Sequence, residues 1–130
     1  MLMDHLILTV FDIERTIEFY KRVLGAEVVQ YNEWKADKAP SPGLLFGLTR
    51  MKLHTPNMKN VLQANKPVTG AGSFCFQWEG NISAAISHLN SVGVAVELGP
   101  VERIGAHGRG KSVYFRDPDG NLIELLSYLP

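Results

Sequence analysis

The sequence predicts an α+β fold of two βαβββ modules forming a cupped mixed β-sheet with flanking helices. Three observations predict it. Short β-rich runs alternate with just two stretches of helical periodicity. The order strand, helix, strand, strand, strand runs through the chain twice, and an internal repeat is a topological signal in its own right. The punctuation repeats as well: the helix caps Asp12 and Asn81 lie 69 residues apart, and the closing glycines Gly25 and Gly93 lie 68 apart.

Each element has its own justification. Leu6–Val10 is short and β-rich, a first strand. Asp12 offers an N-cap, Ile13, Ile17, Tyr20 and Leu24 recur at helical spacing, and Gly25 ends the helix. Ala26–Tyr31 reads as a strand, and Asn32–Gly43, holding Pro40, Pro42 and Gly43, as a loop. Leu44–Leu48 and Met51–His54 are two more strands, followed by a polar connector, Thr55–Gly72. In the second half Ser73–Trp78 is a strand with Phe74, Phe76 and Trp78 on one face. Asn81 then caps a helix carrying Ile82, Ala85, Ile86 and Leu89. Val94–Val101 is a strand, and Glu102–Gly110 a glycine-rich loop. Ser112–Phe115 and Leu122–Ser127 form a hairpin around Asp117-Pro118-Asp119-Gly120-Asn121, a dense cluster of turn formers. The whole is one domain, 1–130, with module one at about 1–55, a linker at 56–72 and module two at about 73–130.

Composition limits the function. The chain has 130 residues, 45% of them hydrophobic, and its 13 basic and 13 acidic side chains cancel. One core of ordinary size follows. A nucleic-acid module carries a basic excess that is missing here, and no run of about 20 apolar residues is present to span a membrane. Cys75 is the single cysteine, so neither an intrachain disulfide nor a cysteine zinc cluster can form. A cytoplasmic setting fits that usage.

The candidate chemistry comes from strand alternation. His5, Ile7 and Thr9 share one face of the first strand, and Lys52 and His54 share one of the fourth. Ser73, Cys75 and Gln77 oppose the bulky aromatic row, and Leu122 and Glu124 share a face of the last strand. His5 and Ser73 lie 68 residues apart, and His54 and Glu124 lie 70 apart. If these are repeat-related pairs, they meet on one concave surface. Two imidazoles and a carboxylate, His5, His54 and Glu124, then hold a divalent first-row ion (Fe, Mn, Ni, Co or Zn) and leave positions for water and substrate. His88 reads as a helix-face residue, and His107 as an exposed loop residue. Cys75 reads as a cleft thiol or as a small buried hydrophobe. Gly105–Gly110 lacks the ending and the following helix of a P-loop, and reads as a mobile loop.

Asp4-His5-Leu6-Ile7-Leu8-Thr9-Val10 with Phe19-Tyr20 and Val23-Leu24-Gly25, then Lys52-Leu53-His54, then Ser112–Leu125 together resemble the vicinal oxygen chelate superfamily of glyoxalases, bleomycin resistance proteins and extradiol dioxygenases. The likeness is nearest the glyoxalase domain-containing protein 5 and bacterial virulence-associated subgroup. It implies a homodimer and a small metal-dependent lyase, isomerase or dioxygenase acting on an oxygenated substrate chelated to the ion. In that reading His5, His54 and Glu124 are the ligands and Glu124 also the catalytic group. Ser73, Cys75, Gln77 and Tyr114 then touch substrate. Ser73 departs from the pattern, standing where glyoxalase I has histidine and the subgroup aspartate. The competing reading is a non-catalytic small-molecule binding protein of the bleomycin-resistance type. In both readings the partner is a small molecule, with neither nucleic acid nor membrane.

Overall fold

The computed structural model describes residues 1–59 and 61–130; Asn60, in the expected linker, lies outside the described residues. The chain divides into two compact units, Met1–Ala71 and Gly72–Pro130.

In the first unit β1 (His5–Thr9) leads into α1 (Ile13–Leu24), β2 (Glu27–Val29), α2 (Tyr31–Lys35), β3 (Gly43–Phe46) and β4 (Thr49–His54). The sheet order is β1-β4-β3-β2, with β1 parallel to β4 and the other pairs antiparallel. Asp12 caps α1 by accepting the Arg15 N–H at 3.0 Å, and Gly25 closes it at φ +65°, a conformation that costs glycine nothing. The buried stripe of α1, with Ile13, Ile17, Phe19, Tyr20 and Val23, covers the sheet face that carries Leu8, Leu44, Met51 and Leu53, all buried. Tyr20 packs edge-on against Phe46, with ring centroids 6.1 Å apart. Alternation sends His5, Ile7 and Thr9 to the opposite face, beside their register partners Arg50, Lys52 and His54.

The second unit repeats the plan. β5 (Ser73–Gln77), α3 (Ile82–Ser91), β6 (Leu98–Gly105), β7 (Gly108–Arg116) and β8 (Leu122–Ser127) form a sheet of order β5-β8-β7-β6. Asn81 caps α3 through the Ala84 N–H at 2.9 Å. Ile82, Ala85 and Leu89 of α3 are buried, as are Val113, Phe115, Ile123 and Leu125 of the sheet. The α+β class and the doubled βαβββ order therefore hold. No helix among the described residues is long and apolar enough to cross a membrane.

Three local expectations need correction. The loop expected at Asn32–Gly43 contains part of α2 (Tyr31–Lys35). Its stability comes from tertiary partners rather than periodicity: Tyr31 donates to Glu14 at 2.8 Å and Lys35 Nζ lies 2.7 Å from Glu14 Oε1. The strand expected from Val94 starts at Leu98. The glycine-rich stretch Glu102–Gly110 is paired hairpin, with Glu102 opposite Lys111 and Gly105 opposite Gly108. Its glycines answer a packing need: a Cβ on Gly110 would lie 2.6 Å from Leu126 Cδ1, and one on Gly105 would run into Tyr128 and Leu126.

The 117–121 turn is cross-braced. Asp117 Oδ1 accepts the N–H groups of Asp119 and Asn121, each at 2.9 Å. The fully buried Asn121 donates to Asp117 Oδ2 at 2.8 Å and accepts the Gly72 N–H at 2.7 Å. Asn121→Ala strands both partners in the interior, where an unsatisfied group costs about 1–3 kcal/mol. The expected result is a second-unit destabilisation of about 2–3 kcal/mol, read as a lower urea midpoint at unchanged slope; a midpoint equal to the parent's would refute the bracing role.

Candidate functional site

The face of each sheet that its helix leaves uncovered carries the polar residues. In the first unit these are His5, Arg50, Lys52 and His54. His5 Nδ1 lies 2.7 Å from Asp4 Oδ2. A carboxylate can only accept, so Nδ1 carries the hydrogen of this bond. That hydrogen bond, followed by the charge of His5, holds the Asp4 carboxyl below the usual range. His54 is 5% exposed, and its Nδ1 has no hydrogen-bond partner among the described residues. Burial first, and the nearby Lys52 charge second, keep its pKa below the ordinary histidine value, so its ring is neutral near pH 7.

In the second unit Glu124 is the hub. Register sets it between Cys75 of β5 and Tyr114 of β7, on one face. Buried Ser112 donates its hydroxyl to Glu124 Oε1 at 2.5 Å. Arg103 Nε donates to the Tyr114 hydroxyl at 3.0 Å, with the guanidinium over the ring. Desolvation is the main cause of a raised Tyr114 pKa, and Glu124 adds to it. The Cys75 thiol is pushed up to about 12, by burial of the group and then by the Glu124 charge. It is a hydrogen-bonding thiol at neutral pH, not a nucleophilic thiolate. Ser73 and Gln77 are exposed on the same side of β5.

The ladders correct the expected internal pairing. In the first unit Ile7 faces Lys52 and Thr9 faces His54. In the second Cys75 faces Glu124 and Gln77 faces Leu126. With His5 matched to Ser73, the counterpart of Glu124 is Lys52, and His54 matches Leu126. His5 and His54 also sit at opposite ends of the β1–β4 pairing, four residues apart along the ladder, or roughly 13 Å at the strand rise. Two imidazoles on one ion bring their nitrogens to about 2.1 Å from it, which is hard to reconcile with side chains rising side by side from that separation. Within either unit no group of three or more His, Cys, Asp or Glu converges among the described residues.

The remaining candidates have structural roles. His88 is half-buried with its ring 5.5 Å from that of Trp78. His107 occupies the exposed β6–β7 turn, where its backbone N–H donates to the Tyr128 hydroxyl at 3.1 Å. Residues that sequence reasoning missed are Arg50, Ser112 and Arg103. The signal for Ser112 was available, since it shares strand parity with Tyr114. Arg103 was hidden in a segment read as loop.

A family model described as Glyoxalase/Bleomycin resistance protein/Dioxygenase superfamily matches residues 2–125. The chain is 40% identical over 126 residues to virulence protein STM3117 of Salmonella typhimurium, across 97% of this chain and 83% of that protein. It is equally identical to the glyoxalase domain-containing protein RDO1 of Mycosarcoma maydis, across 97% of this chain and 68% of the relative. An integron cassette protein from the mobile metagenome of V. cholerae has the same fold, with a TM-score of 0.89 at 39% identity, covering 99% of this chain and 96% of that one.

The depressed His54 pKa has a defined sign in stability. Below the ordinary histidine value of about 6.5 the unfolded chain takes up a proton that the folded chain resists. The contribution is therefore present above that pH and lost as pH falls through the folded pKa. The urea midpoint of the parent should fall more between pH 7.5 and pH 5.5 than that of His54→Gln. Parallel pH dependences in the two proteins would mean that the ring is protonated without cost.

Proposed function

Because the chain belongs to the glyoxalase/bleomycin resistance protein/dioxygenase superfamily, we propose that it binds a small oxygenated molecule on the uncovered faces of its sheets, without a resident divalent metal. The observation that carries this reading is the ladder register, which makes Lys52 the counterpart of Glu124.

The superfamily includes metalloenzymes, so the donor chemistry has to be weighed. His5 and Glu124 are good ligands for a divalent ion. Ser73, the counterpart of His5, offers a weak neutral hydroxyl. Lys52, the counterpart of Glu124, offers an ammonium, which repels a cation and has no lone pair while protonated. His54 has the neutral ring that a ligand needs, but it stands at the far end of the ladder from His5. Neither unit by itself offers a donor set that fits a tightly held ion among the described residues, and no step of the proposed function runs through one.

The residues themselves supply recognition. Glu124, held by the Ser112 hydroxyl, is an acceptor for a ligand hydroxyl or N–H. Tyr114, positioned by Arg103, and Gln77 supply further polar contacts. On the first sheet His5 Nε2 is a further hydrogen-bonding atom. A few oriented polar groups on a mostly apolar scaffold are the usual composition of a small-molecule site.

Protein purified without a chelator or histidine tag should carry well below one equivalent of Fe, Mn, Ni, Co or Zn by elemental analysis. It should also take up none stoichiometrically on reconstitution. Lys52→Glu, which restores a carboxylate, should raise divalent-ion uptake at least tenfold. A stoichiometric ion in the parent, lost in His5→Ala or His54→Ala, would overturn the reading in favour of a metal-dependent lyase, isomerase or dioxygenase.

A further inference from the structure

Of the 13 lysines and arginines, 11 are exposed; Arg50 and Lys52 are the two that are half-buried. They occupy successive positions of β4 on one face, Arg50 opposite His5 and Lys52 opposite Ile7. Some of the exposed basic side chains have acidic partners, as Lys35 has Glu14, Arg22 has Glu18 and Arg116 has Glu97. Neither Arg50 nor Lys52 has an ion-pair partner among the described residues. Asp4, 93% exposed, is hydrogen-bonded to His5 and feels the Lys52 and Arg50 charges only at longer range. Glu27 shares the Arg50 face through Leu45 but lies two strands away, roughly 10 Å at the inter-strand spacing.

Two neighbouring, half-buried cations have only the exposed Asp4 carboxylate within electrostatic reach, and it lies outside ion-pair distance of both; partial burial weakens their hydration without supplying a close partner. We propose that Arg50 and Lys52 form an anion-recognition pair, and that the molecule bound on this face carries a carboxylate or phosphoryl group. The inference rests on the small-molecule reading above and narrows its substrate class. A planar guanidinium takes two oxygens of such a group side by side, and the ammonium beside it adds a compact charge. His5 Nε2 on the neighbouring strand can hydrogen-bond a hydroxyl adjacent to the anionic group. Nothing covalent is required. The pair supplies positive charge to the ligand oxygens without a metal ion.

The test is amide NMR titration of the intact chain with three probes at millimolar concentration: L-lactate, inorganic phosphate and neutral 1,2-propanediol. Lactate or phosphate should shift β1 and β4 resonances saturably, with affinity falling as salt is raised. Saturation by lactate alone assigns a carboxylate, and by phosphate alone a phosphoryl group. Lys52→Met and Arg50→Gln should each weaken that binding at least tenfold, while Lys52→Arg, which keeps the charge, should retain most of it and guard against misfolding of the neutral variants. Binding unchanged in Lys52→Met, or absence of any saturable shift with both anions, overturns the proposal. Propanediol bound equally by parent and Lys52→Met would sink the anion pair and leave the small-molecule reading standing. A metal ion found in the parent would sink that reading by an independent measurement.

Discussion

The parallel pairing of first and last strand sets everything else in each unit. Side chains alternate across a strand, so one residue of slip would exchange the buried face for the polar one. In the second unit the slip is blocked at the start of β8. Asn121 grips the Gly72 N–H, the Leu122 N–H donates to the Gly72 carbonyl at 3.0 Å, and Ser73 is thereby set against Leu122. Two residues further along, Glu124 meets Cys75. In the first unit the ladder is closed at its other end, where the Val10 N–H donates to the His54 carbonyl at 2.7 Å. The buried Asn121 is thus a positioning element for a carboxylate three residues away. It acts through backbone register and not through contact.

The same parity explains why polar chemistry is concentrated on one face of each sheet. Once Leu8, Met51 and Leu53 are committed to the core under α1, Ile7, Arg50 and Lys52 have only the other face to occupy. Once Ile123 and Leu125 are committed under α3, Glu124 must stand opposite. The hydrophobic requirement of folding therefore places the functional groups, and their identity is free to vary without disturbing the core. Lys52 and Glu124 show that freedom: equivalent ladder positions, opposite charge.

That freedom also sets what could be read from the sequence. The element order, both helix caps, Gly25 and the Asp117–Asn121 turn depend on local signals of one or a few residues, and these were legible. The faces of Ser73, Cys75 and Gln77 followed from alternation alone. The match of His54 to Glu124 did not survive, because counting between strand ends assumes equal connections in both halves. The register that decides equivalence depends on hydrogen bonds between strands far apart in sequence. The hairpin at Glu102–Gly110 was misread for a related reason: its glycines look like flexibility locally and are explained only by Leu126 and Tyr128 lying across them. α2 escaped because its support, Glu14, lies 17 residues earlier.

The two polar faces make different demands of a ligand. On the first, Arg50 and Lys52 are cations with the His5 imidazole beside them, and an anionic oxygen satisfies them best. On the second, Ser112 and Tyr114 surround a carboxylate, and Tyr114 is itself already engaged by Arg103; a hydroxyl or N–H donor satisfies Glu124 best. The first demand is for an acid group and the second for a hydrogen-bond donor. In the proposed reading an acidic ligand of the first face needs no ion to mediate its recognition, since the charge that a metal would contribute is covalently attached to β4. A divalent cation added to the first face would have to displace or endure an ammonium, and an anion would not. The electrostatics of that single strand thus favour direct binding of an acidic ligand over metal-mediated chelation.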